Sequence, residues 1–174
     1  MAQLRVPITS TDHAIGSPDA PLVLVEYGDY QCPFCGAAQL VVKQLLIDLR
    51  SNLLFVFRNF PLAEVHPFAF PAAAAAEAAG LQSHFWPMHD RLFENQHLLD
   101  PGSLLDHARA LRLNTARFLT DAQSPNVQRR IAADMEGGAR SGVNGTPTFF
   151  ANGVRVDGGY AYENLAAALT GLRV

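Results

Sequence analysis

The chain has two cysteines, and both lie in one tetrapeptide, Cys32-Pro33-Phe34-Cys35. Cysteines three apart can close a small disulfide, and an ionised sulfur of the pair can attack a disulfide in another molecule. Whether it does depends on where the fold puts it. Pro21 to Gly28 is apolar and β-branched, as a buried strand requires, while Gly36 to Leu49 spaces its apolar residues for a helix. Cys32 therefore falls at a helix N-terminus, where unpaired N–H groups and the positive end of the helix dipole favour an anion and lower the thiol pKa. The chemistry expected is thiol–disulfide exchange, with an exposed Cys32 sulfur as nucleophile and Cys35, one turn on, resolving the mixed disulfide.

Two other uses of the pair compete with this one. Zinc usually takes four ligands, and no second cysteine pair exists; His84 and His89 alone have the spacing to complete a Cys2His2 set. A pair lying in a strand-to-helix turn, instead of a small metal-stapled loop, disfavours that use. A purely structural disulfide across so short a loop would remove little chain entropy. No metal is expected, and no cofactor beyond the dithiol itself.

Composition narrows the remaining classes. The 174 residues can bury a core without a metal or disulfide, as one domain or one domain with a large insertion. A net charge of −3 with 17% charged residues leaves no broad basic surface, so nucleic acid is not expected as a partner. No run approaches the ~18 uninterrupted apolar residues of a membrane span. Met1 to Ser10 lacks the apolar stretch of a secretory signal, which points to the cytoplasm, or to a periplasmic or other extracytoplasmic site if a leader has been removed. In a reducing compartment two lone cysteines at this spacing are better explained by catalysis than by structure. A monomer is expected.

The elements that must position the pair can be read outward from it. Arg5 to Ile8 reads as a short extended start and Asp12 to Pro21 as a turn-rich loop. Asn52 to Arg58 reads as a second buried strand, parallel to the first, with the helix as a right-handed crossover. Near the other end, Thr148–Ala151 and Val154–Val156 flank Asn152-Gly153, a strong two-residue hairpin signal, and Tyr162 to Thr170 reads as a closing helix. The result is an α/β fold, β-α-β then β-β-α, contributed by residues 1–60 and 141–174. Residues 61–140 read as a helical insertion. Pro71 to Ala79 forms a helix stopped by Gly80, Ser83 caps the next, and Asp100-Pro101 and Ser124-Pro125 begin two more. On the second of these, Phe85, Met88, Leu92 and Phe93 share a face.

Assembled in this way, the sequence resembles the DsbA-like thiol:disulfide oxidoreductases of the thioredoxin superfamily, whose thioredoxin fold is interrupted by a helical domain. The similarity covers nearly the whole chain. It rests on Gly16-Ser-Pro-Asp-Ala-Pro21, Glu26, the cysteine turn, Asn59-Phe-Pro-Leu62 with His66-Pro67, Phe85-Trp-Pro-Met-His-Asp90 and Gly145-Thr-Pro-Thr-Phe149. The resemblance implies protein or peptide thiols and disulfides as substrates, and glutathione or a recycling protein as redox partner. It also implies a cis peptide bond before Pro147, with Thr146 offering its backbone to an incoming peptide strand; an ordinary trans proline is the alternative. Glu26 then matches a buried acid that takes the proton of the second cysteine, although a strand at the sheet edge would turn it to solvent. Family members often carry histidine inside the C-x-x-C, where this chain has Phe34. Pro33, Phe34 and Tyr30 would form an apolar rim for a peptide, and Phe149 either joins them or packs in the core. His66, His84 and His89 read as structural residues, His66 as a helix cap.

Where no chemistry is present, the same sequence would be a peptide-binding thioredoxin-like module with idle cysteines. Such a module would not exchange disulfides with glutathione, and a metal protein would lose stability to chelators.

Overall fold

The apolar run after Pro21 forms the central strand of the molecule because it finds partners on both sides. In the computed structural model, which describes residues 2–171, strand β2 (Leu22–Gly28) lies between β3 (Leu53–Asn59), parallel to it, and β4 (Thr148–Ala151), antiparallel. All seven residues of β3 are buried, as expected of a strand covered on both faces. Two further strands close the sheet, β1 (His13–Ile15) against β3 and β5 (Val154–Arg155) against β4, in the order β1-β3-β2-β4-β5. Helix α1 (Pro33–Leu49) makes the crossover from β2 to β3, and α7 (Tyr162–Thr170) follows the hairpin. This is a thioredoxin-like α/β fold, with the hairpin turning at Asn152-Gly153, both in the left-handed region that a tight turn demands.

Between β3 and β4 lie α2 (Ala69–Gly80), α3 (Phe85–Glu94), α4 (Pro101–Ala110), α5 (Thr115–Ala122) and α6 (Pro125–Arg140). Helix α2 is buried on nearly every side and packs against α3, α4, α5 and α6, because alanine side chains let neighbouring helices approach closely. Asp100 accepts hydrogen bonds from the N–H groups of Gly102 and Ser103, and Ser124 from Val127, so both cap-then-proline starts form. The apolar face of α3 meets the sheet in an aromatic cluster of Tyr30, Phe57, Phe85, Trp86 and Phe93 around His89. Burial of one such large side chain contributes ~1.5–3 kcal/mol.

Several local expectations are corrected. The loop over Asp12–Pro21 contains β1, whose three residues were masked by the turn formers around them. The extended start Arg5–Ile8 joins no strand; Gln3 bridges to Val154 instead. Helix α1 begins at Pro33, three residues before Gly36, since a proline at the first helical position gives up no needed N–H. Gly80 is the last residue of α2, not a left-handed stop after it, and the left-handed residue is Ser83 (φ 62°). Ser83 does not cap α3; His84 occupies that position without a side-chain cap bond. Helix α5 was not anticipated, and its signal is Asn114, whose side chain accepts from the Arg117 N–H. Met1 and residues 172–174, counted in the terminal segments, lie outside the described residues.

On the far face of the sheet, Arg58 is buried and donates to both oxygens of Asp12 (2.8 and 3.1 Å), to the Tyr27 hydroxyl and to the carbonyls of Val6 and Pro7. Every guanidinium nitrogen is engaged, which is the condition for burying such a charge.

Candidate active site

Strand β2 ends at Gly28, and Asp29-Tyr30-Gln31 turns the chain into α1, with Cys32 as the N-cap residue in extended conformation (φ −70°, ψ 121°). The Cys32 N–H donates to the Asp29 carbonyl (3.1 Å), and its own carbonyl accepts from the Gly36 N–H (3.2 Å), the first intrahelical bond. Its side chain caps nothing. The sulfur is thus left at the helix mouth among donors. The Cys35 thiol, the backbone N–H groups of Cys35 and Phe34, and Thr146 lie around it and favour its ionised form. Together they hold the Cys32 pKa down at about 5 against the opposing cost of burial. When protonated, its Sγ–H donates to the Thr146 carbonyl at 3.4 Å.

Cys35 behaves in the opposite way. It is fully buried, and desolvation, the bond it gives to Cys32 and the nearby Glu26 charge all push its pKa up. The Asp29 N–H reaches its sulfur at 3.5 Å. One sulfur is therefore ionised at neutral pH and its neighbour stays a thiol, an asymmetry that a nucleophile and a resolving group require.

Glu26 lies in the central strand, with Phe57 on one side and Phe149 on the other, so it cannot face solvent from an edge. Side-chain alternation puts it on the face that carries Leu24, Phe55 and Cys35. It is completely buried, neither carboxylate oxygen has a hydrogen-bond partner, and burial first, then the Cys32 charge, raises its pKa to about 8.

The other residues singled out from the sequence divide. Thr146 and Pro147 lie against the redox pair, joined by a cis peptide bond, and an open cleft of about 240 Å³ runs past Pro147 between Phe149, Arg155 and Asp157. Pro33 and Phe34 are exposed, Phe34 by 60%. Tyr30 is not part of that rim: it is 1% exposed, and its hydroxyl shares a hydrogen bond with His89 Nδ1 at 3.0 Å inside the aromatic cluster. Phe149 is core as well. Cys32 is only 3% exposed, with its sulfur 3.4 Å from the Thr146 carbonyl.

His66 caps no helix. Its Nδ1 donates to Asp29 Oδ2 at 2.8 Å, and that buried carboxylate also accepts the N–H of Leu62 and Gln31, which ties the cysteine turn to the segment after β3. Asp29 went unnoticed in the sequence, though a lone acid closing an apolar strand just before a C-x-x-C is a readable sign of a turn anchor. Among the described residues no group of three or more His, Cys, Asp or Glu is placed to hold a metal ion.

Residues 8–170 match the family described as Thioredoxin. The chain belongs to the thioredoxin family. Among solved structures, this thioredoxin-family protein superposes on a thioredoxin-like oxidoreductase from Silicibacter pomeroyi with a TM-score of 0.84 and 29% identity, covering 94% of this chain and 92% of that one. It shares the fold of BdbD from Bacillus subtilis, with a TM-score of 0.86, 22% identity and coverage of 98% and 97%. In sequence it is 47% identical over 168 residues to a Salinispora arenicola protein named Na(+)/H(+) antiporter NhaA 1, which is 96% of this chain and 26% of that protein. The thioredoxin-family chain spans about a quarter of the length of the curated relatives it matches. Among the described residues no helix is long and apolar enough to cross a membrane.

Proposed function

We propose that the protein is a thiol:disulfide oxidoreductase of DsbA-like type, acting on protein or peptide substrates. The observation that carries this reading is the Cys32 sulfur at the N-cap of α1, 3.4 Å from the Thr146 carbonyl beside Pro147, with the buried Cys35 one turn further along the helix. The Cys32 thiolate attacks one sulfur of a substrate disulfide, forms a Cys32–substrate disulfide and expels the other substrate sulfur as a thiolate. Glu26 then accepts the proton of Cys35, and the new thiolate attacks Cys32 Sγ. The Cys32–Cys35 disulfide forms, and the second substrate sulfur leaves as a thiol with the proton returned by Glu26. The substrate gains two electrons from the pair and the Cys35 proton, the first leaving thiolate takes its proton from solvent, and no further cofactor is needed. Run in reverse with a dithiol substrate, the same steps oxidise it.

Pro33 and Phe34 supply an apolar rim, and the cleft beside Pro147 takes the extended backbone of the peptide alongside Thr146. Glutathione or a recycling protein restores the pair, and the protein works as a monomer. The antiport named for the longer relatives forms no part of this reading, which concerns the thiol chemistry of the matched segment.

Reduction of insulin by dithiothreitol tests the reading. The protein should accelerate precipitation of the reduced chains, Cys32→Ser should abolish the effect, and titration with glutathione should give a two-electron equilibrium. Rates equal to dithiothreitol alone would refute it and leave a binding module.

A further inference from the structure

The turn that carries the cysteines is held by three side-chain clasps, and each joins it to the segment 61–140. Asp29 binds Leu62 and His66, and the Gln31 side-chain oxygen accepts the Phe68 N–H at 2.7 Å. The third clasp is Gln96, in the turn after α3. Its carboxamide nitrogen donates to the carbonyls of both Tyr30 and Cys32, each at 2.8 Å. The Cys32 carbonyl therefore accepts two bonds, one from the Gly36 N–H of its own helix and one from a residue 64 positions away. Room for this exists because residue 36 has no side chain. A Cβ on Gly36 would overlap the Gln96 side-chain oxygen and come within 2.8 Å of its Cδ.

We propose that Gln96 is a positioning residue for the redox pair: by pinning the Tyr30 and Cys32 carbonyls it fixes the backbone at the mouth of α1 and keeps the Cys32 sulfur aimed at its donors. The inference rests on the reading that Cys32 is the attacking thiolate. Cys32 is the half-in residue of the helix, held on its N-terminal side by the single bond from its N–H to the Asp29 carbonyl. Bonds to sulfur weaken steeply once the donor angle opens, so a modest rotation about the Gln31–Cys32 peptide costs several of them together. The other two clasps act on residues 29 and 31, and Gln96 alone of the three reaches the backbone of Cys32. The helical insertion thereby contributes to the electrostatics of the site without touching a sulfur.

The test is the Cys32 titration in the reduced protein, followed by thiolate absorbance and by the rate of alkylation near pH 5. In Gln96→Ala the titration midpoint should rise by about one pH unit, and alkylation near pH 5 should slow about fivefold as the thiolate fraction falls. Gly36→Ala keeps the carboxamide but expels it from its seat and favours the helix, so it should reproduce the shift. The double variant should shift no further than either single one, since both remove the same contact. Gly36→Ala also carries the test if Gln96→Ala does not fold. A Gln96→Ala or Gly36→Ala protein that titrates with the wild type, near 5, would overturn the inference and leave the oxidoreductase reading standing. A wild type that titrates near 8.5, as an unperturbed thiol does, would overturn both.

Discussion

Raising the pH should stabilise the reduced protein relative to its own disulfide form, through Cys32. The fall of its pKa from 9.0 to about 5 corresponds to ~5 kcal/mol in favour of the ionised folded state. Solvent at the helix mouth screens part of that, and ~2–3 kcal/mol is the working magnitude. The sign follows from linkage. A thiol more acidic in the folded than in the unfolded state contributes fully above its unfolded pKa, and that contribution is lost as pH falls through about 5. Glu26 opposes it: its folded pKa is raised from 4.5 to about 8, so its protonated form favours folding at low pH and that advantage disappears as pH rises to about 8. In reduced protein alone the two therefore nearly cancel. Burial, the larger cause of the Glu26 shift, acts in both redox forms and only the reduced form contains the thiolate, so the difference between them reports on Cys32 together with its smaller effect on Glu26. Urea unfolding of both forms should show that difference climbing by ~2–3 kcal/mol between about pH 5 and 8.5. It should turn down above that, where the Cys35 thiol ionises freely only when unfolded. A flat difference across the lower window would refute the description of Cys32 as an activated thiolate.

Glu26→Gln should slow resolution of the mixed disulfide by on the order of a hundredfold and leave the first attack unchanged, as quenched-flow analysis of the two steps would show; equal slowing of both steps would reject the proton-acceptor role. Phe34→His adds a donor beside Cys32 and should lower its pKa further and move the glutathione equilibrium toward the dithiol. Because Phe34 is 60% exposed, stability should change by less than about 0.5 kcal/mol. Arg58→Met leaves the buried Asp12 carboxylate without its partner and should cost ~3–5 kcal/mol in urea unfolding, with little change in insulin reduction by the protein that remains folded.

What was legible in the sequence was whatever a short pattern determines. The cysteine turn, the parallel pair β2 and β3, the Asn152-Gly153 hairpin and the proline-started helices all follow from local chemistry, and each forms. Glu26 was legible because a lone acid in an apolar strand has few ways to be there. The misreadings concern environment. Tyr30 precedes the cysteines and suits a substrate rim by composition, but it is the aromatic cluster around His89, assembled from β3 and α3, that claims its ring. His66 stands before a proline as a cap would, yet its partner lies 37 residues earlier. No periodicity marks Gln96, because its two acceptors belong to a turn that only the tertiary fold brings to it.

Helix α2 has a consequence for how such a chain can vary. Apart from Ala74 and Ala75, which line an open groove, its buried alanines are closed in by neighbouring elements, so a single added methyl group has nowhere to go there, and overpacking costs ~1–3 kcal/mol. A saturation library should find this spindle nearly as intolerant as the redox turn, although it holds no chemistry. The outward sides of α4 and α5, by contrast, can drift, and new docking preferences would accumulate there while the sulfur chemistry stays as it is.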